Sequence, residues 1–216
     1  LCVSGNPVVS NPEGERLARA LGTLDFMVAF DCYLNETTRH ADVIVPGTSP
    51  LEDSHYDSFL GSMAWRNTAR YSPTLIARED QMDEWRMMLG MAHVLATRSV
   101  ASDRELDAYE DDVVAGAVDR YVRDSQSPLW GRDPQEIMAG ITPARGAERL
   151  LDLGIRAGPW GDAFGSRPGL SLRDLVNAPD SIDRGPLRQR LSEVVGHRDG
   201  RLSLAPAQII DDLGRL

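Results

Sequence analysis

Three short stretches carry residue types able to do chemistry. The first, Gly5-Asn6-Pro7, follows the apolar run Leu1-Cys2-Val3. A glycine there lets the backbone approach a ligand closely, and an asparagine offers both donors and acceptors. The second is Asp31, which closes the apolar run Phe26-Met27-Val28-Ala29-Phe30. A carboxylate in that place can accept two hydrogen bonds from a guanine edge or a ribose diol. The third is the group Glu52, Asp53, His55 and Asp57, with Arg66 and Arg70 close by. Taken one at a time, each has a plain structural reading. Gly5-Asn6-Pro7 is a turn, Asp31 a cap or turn carboxylate, and the acidic group a set of solvated loop residues ion-paired with Arg66 and Arg70. That group lacks a second histidine and any metal-ligand spacing, so no metal is assigned to it.

The elements around these residues give them a common place. Leu1 to Ser4 reads as a short strand broken by Gly5-Asn6-Pro7. Asn11-Pro12 signals a helix start, Leu17, Ala20 and Leu21 share one face, and Gly22 ends the helix. Residues 26–30 are apolar on both faces, the pattern of a buried parallel strand. Asn35 to Ala41 fits two helical turns, and Val43-Ile44-Val45 a third strand stopped by Pro46-Gly47. Strands alternating with helices predict an α/β fold with a parallel, doubly wound, Rossmann-like sheet. Ligands bind such sheets beyond the carboxyl ends of the strands. Gly5-Asn6-Pro7, Asp31 and Pro46-Gly47 all fall there.

Farther along, residues 47 to 78 read as an irregular loop of functional length. Met82, Trp85, Leu89, Ala92 and Leu95 form one helical stripe, and Leu106, Tyr109, Val113, Ala117 and Tyr121 another. Ser102 and Glu105 have capping-box spacing. Shorter helices are expected over Pro134–Ala139 and Ala144–Leu153. Loops with a helical turn at Ser171–Val176 follow, and Arg201 to Leu204 reads as a last strand. The predicted division is an α/β cofactor-binding segment over 1–98 and a helical, irregular extension over 99–216 that packs on further domains.

Composition excludes several function classes. The 216 residues are 42% hydrophobic and 26% charged, an ordinary globular balance. A net charge of −10 repels nucleic acid and anionic membranes. It leaves room for a local phosphate site built from backbone N–H groups. Cys2 and Cys32 have no metal-site spacing and read as apolar residues of core strands, so no iron–sulfur or zinc site is assigned to this chain. The methionines at 82, 87, 88 and 91 read as core, and His93 and His197 as ordinary. No run of 18 apolar residues exists, so no membrane span is predicted. Walker A, G-x-S-x-G and H-E-x-x-H patterns are absent from the sequence. The chain starts at Leu1 within an apolar run, which reads as a cut from a longer protein; a cytoplasmic location is the default expectation.

Gly5-Asn6-Pro7, then Leu24 to Asp31, then Asn35-Glu36-Thr37-Thr38-Arg39-His40-Ala41-Asp42-Val43-Ile44-Val45-Pro46, together resemble one family. It is the bis-molybdopterin-guanine-dinucleotide oxidoreductases: formate dehydrogenases, nitrate reductases and dimethyl sulfoxide reductase. Glu52, Pro186-Leu187 and the stretch from Gly200 to Pro206 resemble a formate-dehydrogenase-like branch. The resemblance implies a segment that holds one guanine dinucleotide arm of a molybdenum or tungsten cofactor, through Gly5, Asn6 and Asp31, with Asp83 approaching the nucleotide. It places the metal ligand and any iron–sulfur cysteines upstream, and a further binding domain downstream, so that this chain alone is inactive. Its partners would be the remaining domains of the same polypeptide, a small-molecule substrate and an electron-transfer subunit or redox protein. Two departures stand out. Phe30 occupies a position often polar in relatives. Asp53-Ser54-His55 stands where many carry a lysine followed by Glu-Gly, leaving Arg66 or Arg70 to meet phosphate. The alternatives are a non-catalytic scaffold of the same fold, as in respiratory complex I, and a free-standing nucleotide-binding domain.

Overall fold

The computed structural model describes residues 1–57, 60–77, 82–178 and 180–215. The chain opens with strand β1 (Cys2–Val3), a one-turn helix α1 (Pro7–Ser10) and helix α2 (Gly14–Leu21). Strand β2 (Val28–Phe30) follows, then a single 3-10 turn at Thr38–His40 and strand β3 (Val43–Val45). The three strands form an all-parallel sheet in the order β1-β2-β3, so the protein is α/β as its pattern predicts. Cys2 pairs with Ala29, and Ala29 with Ile44. Met27, Ala29 and Phe30 are buried while Phe26 is exposed, so the apolar run supplies a shorter buried strand than its length suggested.

The first crossover differs from the expectation at Asn11-Pro12. The helix begins at Pro7, and Asn11 ends α1 instead of opening a helix. Pro7 takes the first-turn position that suits its fixed φ. The chain then re-enters a helix at Gly14, where a Cβ would overlap the Val8 carbonyl oxygen; only glycine lets α2 start this close to α1. Residues 35–41 make one 3-10 turn instead of two helical turns.

Residues 47–78 are more regular than the sequence suggested; positions 58, 59 and 78 of that stretch lie outside the described residues. They contain β4 (His55–Tyr56), β5 (Arg66–Ala69) and β6 (Tyr71–Ser72). Strand β4 pairs antiparallel with β6. Helices α3 (Glu84–Thr97), α4 (Asp103–Arg123), α5 (Pro134–Gly140), α6 (Glu148–Ala157) and α7 (Leu172–Val176) come next. Strand β7 (Ile182–Pro186) pairs antiparallel with β5. Such short strands need distant partners, which a local pattern does not reveal. The tail carries α8 (Leu191–Val194) and α9 (Ala207–Asp212). Arg201–Leu204 is not a strand: among the described residues it pairs with no neighbouring strand, and Leu204 is exposed.

The main core lies between α4, α5 and α6, around Val114, Val118, Leu129, Ile137 and Leu153. A second cluster joins Tyr71 to Leu172 and Leu175, with Tyr56, Ala69 and Ile182 packed on it. The second cluster therefore packs residues before 98 against residues after it. The capping box at Ser102 and Glu105 forms, and it starts the longest helix. The buried residues of α4 are Leu106, Glu110, Val114, Ala117, Val118 and Val122, so the expected Leu106 and Ala117 are buried, but most of the face follows the i,i+4 row from Leu106 to Val122. An apolar pattern passes over this row because it contains a glutamate. In α3 only Leu89 is fully buried; Met82 is exposed and Met87, Met88 and Met91 are half-buried, so these methionines do not form a closed core.

Candidate functional site

The carboxyl ends of β1, β2 and β3 open onto one cleft of about 490 Å³. Gly5, Asn6, Asp31, Asn35, Gly47, Thr48, Asp53 and Glu84 are among the residues that line it. The volume falls within the range of about 300–1,000 Å³ common for small-molecule sites. Gly5, Asn6 and Asp31, which the sequence places at strand ends, therefore share one rim. Ser4, at the exit of β1, holds a left-handed φ of 47°, so the backbone turns sharply into the cleft edge.

Each side chain is held by identifiable partners. Asn6 sits at the N-cap of α1 but makes no capping bond. Its Nδ2 donates to Glu36 Oε2 at 2.7 Å, and its Oδ1 accepts from Thr37 Oγ1 at 2.7 Å. Asp31 accepts from the Tyr33 N–H at 3.0 Å through Oδ1, an Asx turn, and from Asn35 Nδ2 at 3.0 Å through Oδ2. Asn35 Oδ1 in turn accepts from the backbone N–H groups of Thr37 and Thr38.

The far wall is acidic. Asp53 accepts from the Ser54 N–H and the Thr48 hydroxyl, and Glu52 accepts from the Ser49 N–H. These bonds shape the loop after β3, so the acidic group serves loop geometry. Ser54 donates to Glu148 Oε1 at 2.6 Å, tying this loop to α6. Arg66, expected as a partner here, instead meets Asp183 at 2.7 Å across the β5–β7 pair. The antiparallel register sets Arg66 opposite Pro186 and brings its guanidinium to Asp183 on β7. Glu84 enters the cleft from the start of α3, where burial and the charge of Asp53 push its carboxyl above the usual range. Among the described residues that line the cleft there is no lysine or arginine.

Asp83 lies outside this lining. Its carboxylate caps α3, accepting from the Arg86 N–H at 2.7 Å, and it borders an adjoining hollow that shares Asp53, Ser54 and Glu84 with the cleft. Cys2 is half-buried and Cys32 is exposed on the cleft edge, just past β2, so Cys32 is not a core-strand residue. Among the described residues, no group of three or more His, Cys, Asp or Glu is placed to hold a metal ion. Among them too, no helix is long and apolar enough to cross a membrane. Pattern reading missed Asn35, Thr37 and Glu84 as site residues. An asparagine two residues before a threonine is an Asx-turn signal and was available for the first two; Glu84 is placed by a helix distant in sequence and left no local trace.

Parts of the chain are similar to known oxidoreductase subunits. It is 34% identical over 90 residues to the assimilatory nitrate reductase catalytic subunit of Bacillus subtilis, covering 42% of this chain and 12% of that protein. It is 46% identical over 41 residues to the F420-dependent formate dehydrogenase subunit alpha of Methanocaldococcus jannaschii, covering 19% of this chain and 6% of that one. A formate dehydrogenase 1 subunit alpha from Methanococcus maripaludis, also F420-dependent, matches at 43% over 47 residues, or 22% and 7%. The aligned stretches span only a small part of the length of these relatives. No family model matches the chain, and no solved structure matches it significantly.

Proposed function

We propose that this chain is a cofactor-binding segment of a molybdopterin-dependent oxidoreductase of the nitrate reductase and formate dehydrogenase kind. The cleft beyond β1, β2 and β3 takes the guanosine end of one dinucleotide arm. The observation that carries this reading is the meeting of Gly5, Asn6 and Asp31 on one rim. Local similarity to subunits of those two enzymes supports it.

The residues fit the nucleoside part of such a group. Guanine presents N1–H and N2–H donors on one edge, and the Asp31 carboxylate keeps acceptor capacity beyond its two protein bonds. Asn6 keeps one N–H beyond its bond to Glu36. The fit weakens toward the pyrophosphate, because the described cleft lining holds Asp31, Asp53 and Glu84 and lacks arginine and lysine. Phosphate charge is met by residues elsewhere in the polypeptide, with Arg66 engaged by Asp183. Asp83 contributes by capping α3 and so fixing Glu84 in the cleft wall. The bound cofactor would supply the redox chemistry at its metal. Formate is the favoured substrate, on the branch resemblance of Glu52, Pro186-Leu187 and residues 200–206.

The test is chemical analysis of the purified polypeptide that carries this chain. Acid hydrolysis is expected to release GMP together with molybdenum or tungsten. Asp31→Ala and Asn6→Ala are expected to lower the GMP yield. A polypeptide carrying neither guanine nor metal would instead be a scaffold of the same fold.

A further inference from the structure

The two cleft groups are not independent. Asn6 comes from the β1 exit and Asp31 from the β2 exit, yet an unbroken chain of hydrogen bonds joins them: Asn6 to Thr37, Thr37 to Asn35, Asn35 to Asp31. Thr37 and Thr38 at its centre are 0% exposed. Thr37 Oγ1 also accepts the Val8 N–H at 3.1 Å, and Thr38 Oγ1 both accepts the Asn35 N–H and donates to the Tyr33 carbonyl.

This chain removes an ambiguity that an exposed asparagine would keep. The two ends of an amide side chain differ in chemistry but hardly in shape, so its orientation follows from its partners. A carboxylate only accepts, so Glu36 holds the Nδ2 end of Asn6. The bond from Asn6, followed by the Glu36 backbone N–H, keeps the Glu36 carboxyl below its usual range and so anionic. The Thr37 hydroxyl then donates to the Oδ1 end. The same logic fixes Asn35, whose Oδ1 takes two backbone N–H groups and whose Nδ2 therefore faces Asp31. One donor, on Asn6, and one acceptor, Asp31, are left at set positions on the rim.

Building on the guanosine reading above, we infer that Thr37 is a positioning residue: its buried hydroxyl sets the amide sense of Asn6, while its backbone N–H reaches Asp31 through Asn35, so that the rim discriminates for a guanine nucleotide. Thr37 itself does not line the cleft.

The test compares Thr37→Val with Thr37→Ser in the whole polypeptide that carries this chain. Valine keeps the shape and removes the donor; serine keeps the donor. Two readouts are taken: GMP released on acid hydrolysis, and backbone hydrogen exchange in protein freed of nucleotide. The valine variant is expected to hold the guanine nucleotide about tenfold more weakly, the scale of one hydrogen bond, and so to come through purification with clearly less guanine, with serine near wild type. Exchange should rise at Val8 and at residues 33–38 while α4 stays protected. Wild-type guanine content in the valine variant, or an equal loss with serine, overturns the inference. So does faster exchange spreading through α4, which marks a merely structural role. A wild-type protein without guanine defeats the guanosine reading itself. Exchange confined to Val8 and 33–38 would then still demonstrate the hydrogen-bonded hub, but the assignment to guanine would fall with the reading.

Discussion

Glu110 and Arg149 meet at 2.9 Å with 1% and 7% of their side chains exposed, so α4 and α6 are joined by a buried ion pair. Glu110 also accepts from the Trp85 indole N–H and the Gly146 N–H, which brings α3 and the α6 entry to the same carboxylate. Arg149 makes a second bond to Asp111. Removing one member of such a pair leaves a buried charge without its partner, and several donors without their acceptor. Glu110→Ala is expected to cost about 3–5 kcal/mol. Urea unfolding gives the value; a loss below about 1 kcal/mol would mean that the carboxylate is dispensable.

Asp152 does a similar job with a looser ionic partner. Fully buried on α6, it accepts from the Thr142 N–H at 3.1 Å and from the Leu172 N–H at 3.0 Å, tying α6 to the α7 start. Arg156 stands 3.7 Å away. Asp152→Asn keeps the shape but puts an NH2 group against a backbone donor. The expected cost is about 1–3 kcal/mol, the penalty for an unsatisfied buried donor. Thermal unfolding of the variant beside Asp152→Ala checks it: if asparagine behaves as wild type, the second acceptor oxygen does not matter.

Much of the front of the molecule was legible because its signals are local. The three parallel strands follow from apolar runs bounded by Gly, Pro and Asp, and the parallel order follows from their alternation with helical turns. That placed Gly5, Asn6 and Asp31 at strand exits without any knowledge of contacts. The capping box at Ser102 was readable for the same reason. What stayed hidden depends on distant partners. Strand β5 exists because β7, more than 100 residues later, pairs with it. Glu110 occupies a core position because Arg149 and Trp85 satisfy it, so hydrophobic periodicity found Leu106 and Ala117 but shifted the rest of the α4 stripe to Tyr109, Val113 and Tyr121. Arg66 was matched to the nearest acids in sequence, whereas antiparallel pairing brings Asp183 to it.

Acid should destabilise the protein through its helical half. Burial opposes ionisation of Asp162, but the Arg156 guanidinium, which binds both its oxygens, and the N–H groups of Phe164 and Gly165 hold its carboxyl below the usual range. Asp111 is lowered likewise, its burial outweighed by Arg149 and Arg145. A carboxyl with a folded pKa below its unfolded value stabilises the fold above the unfolded value, about 3.9, and loses that contribution as pH falls through the folded one. Unfolding midpoints should therefore decline below about pH 4. Asp162→Asn should flatten that decline while starting from lower stability. An unchanged acid slope would exclude Asp162 as a contributor.

Glu84 has the opposite sign. Its carboxyl is raised by burial and by Asp53, so the folded state resists its ionisation. The penalty is absent below the unfolded value and grows as pH rises through the raised folded value. Glu84→Gln should thus stabilise the protein at pH 7 and leave it unchanged near pH 3. A variant less stable at pH 7 would show that the charge serves a favourable contact.

Gly47 and Glu84 provide a test of how the cleft wall is assembled. Gly47 follows β3, and a Cβ there would overlap Glu84 Oε1 at the start of α3. The atom in the way is the end of a flexible side chain, so Gly47→Ala should displace Glu84 without moving the backbone. The cost should sit at the low end of overpacking, about 1 kcal/mol. It should vanish largely when Glu84→Ala is added, since residues in contact show a coupling that separate sites do not. Urea midpoints of the two single variants and the double variant give the coupling. Guanine content should fall in Gly47→Ala and recover in the double variant, because the displaced carboxylate moves within the cleft that Asn6 and Asp31 also line. Full additivity of the two substitutions would mean that the β3 exit and α3 build the wall independently.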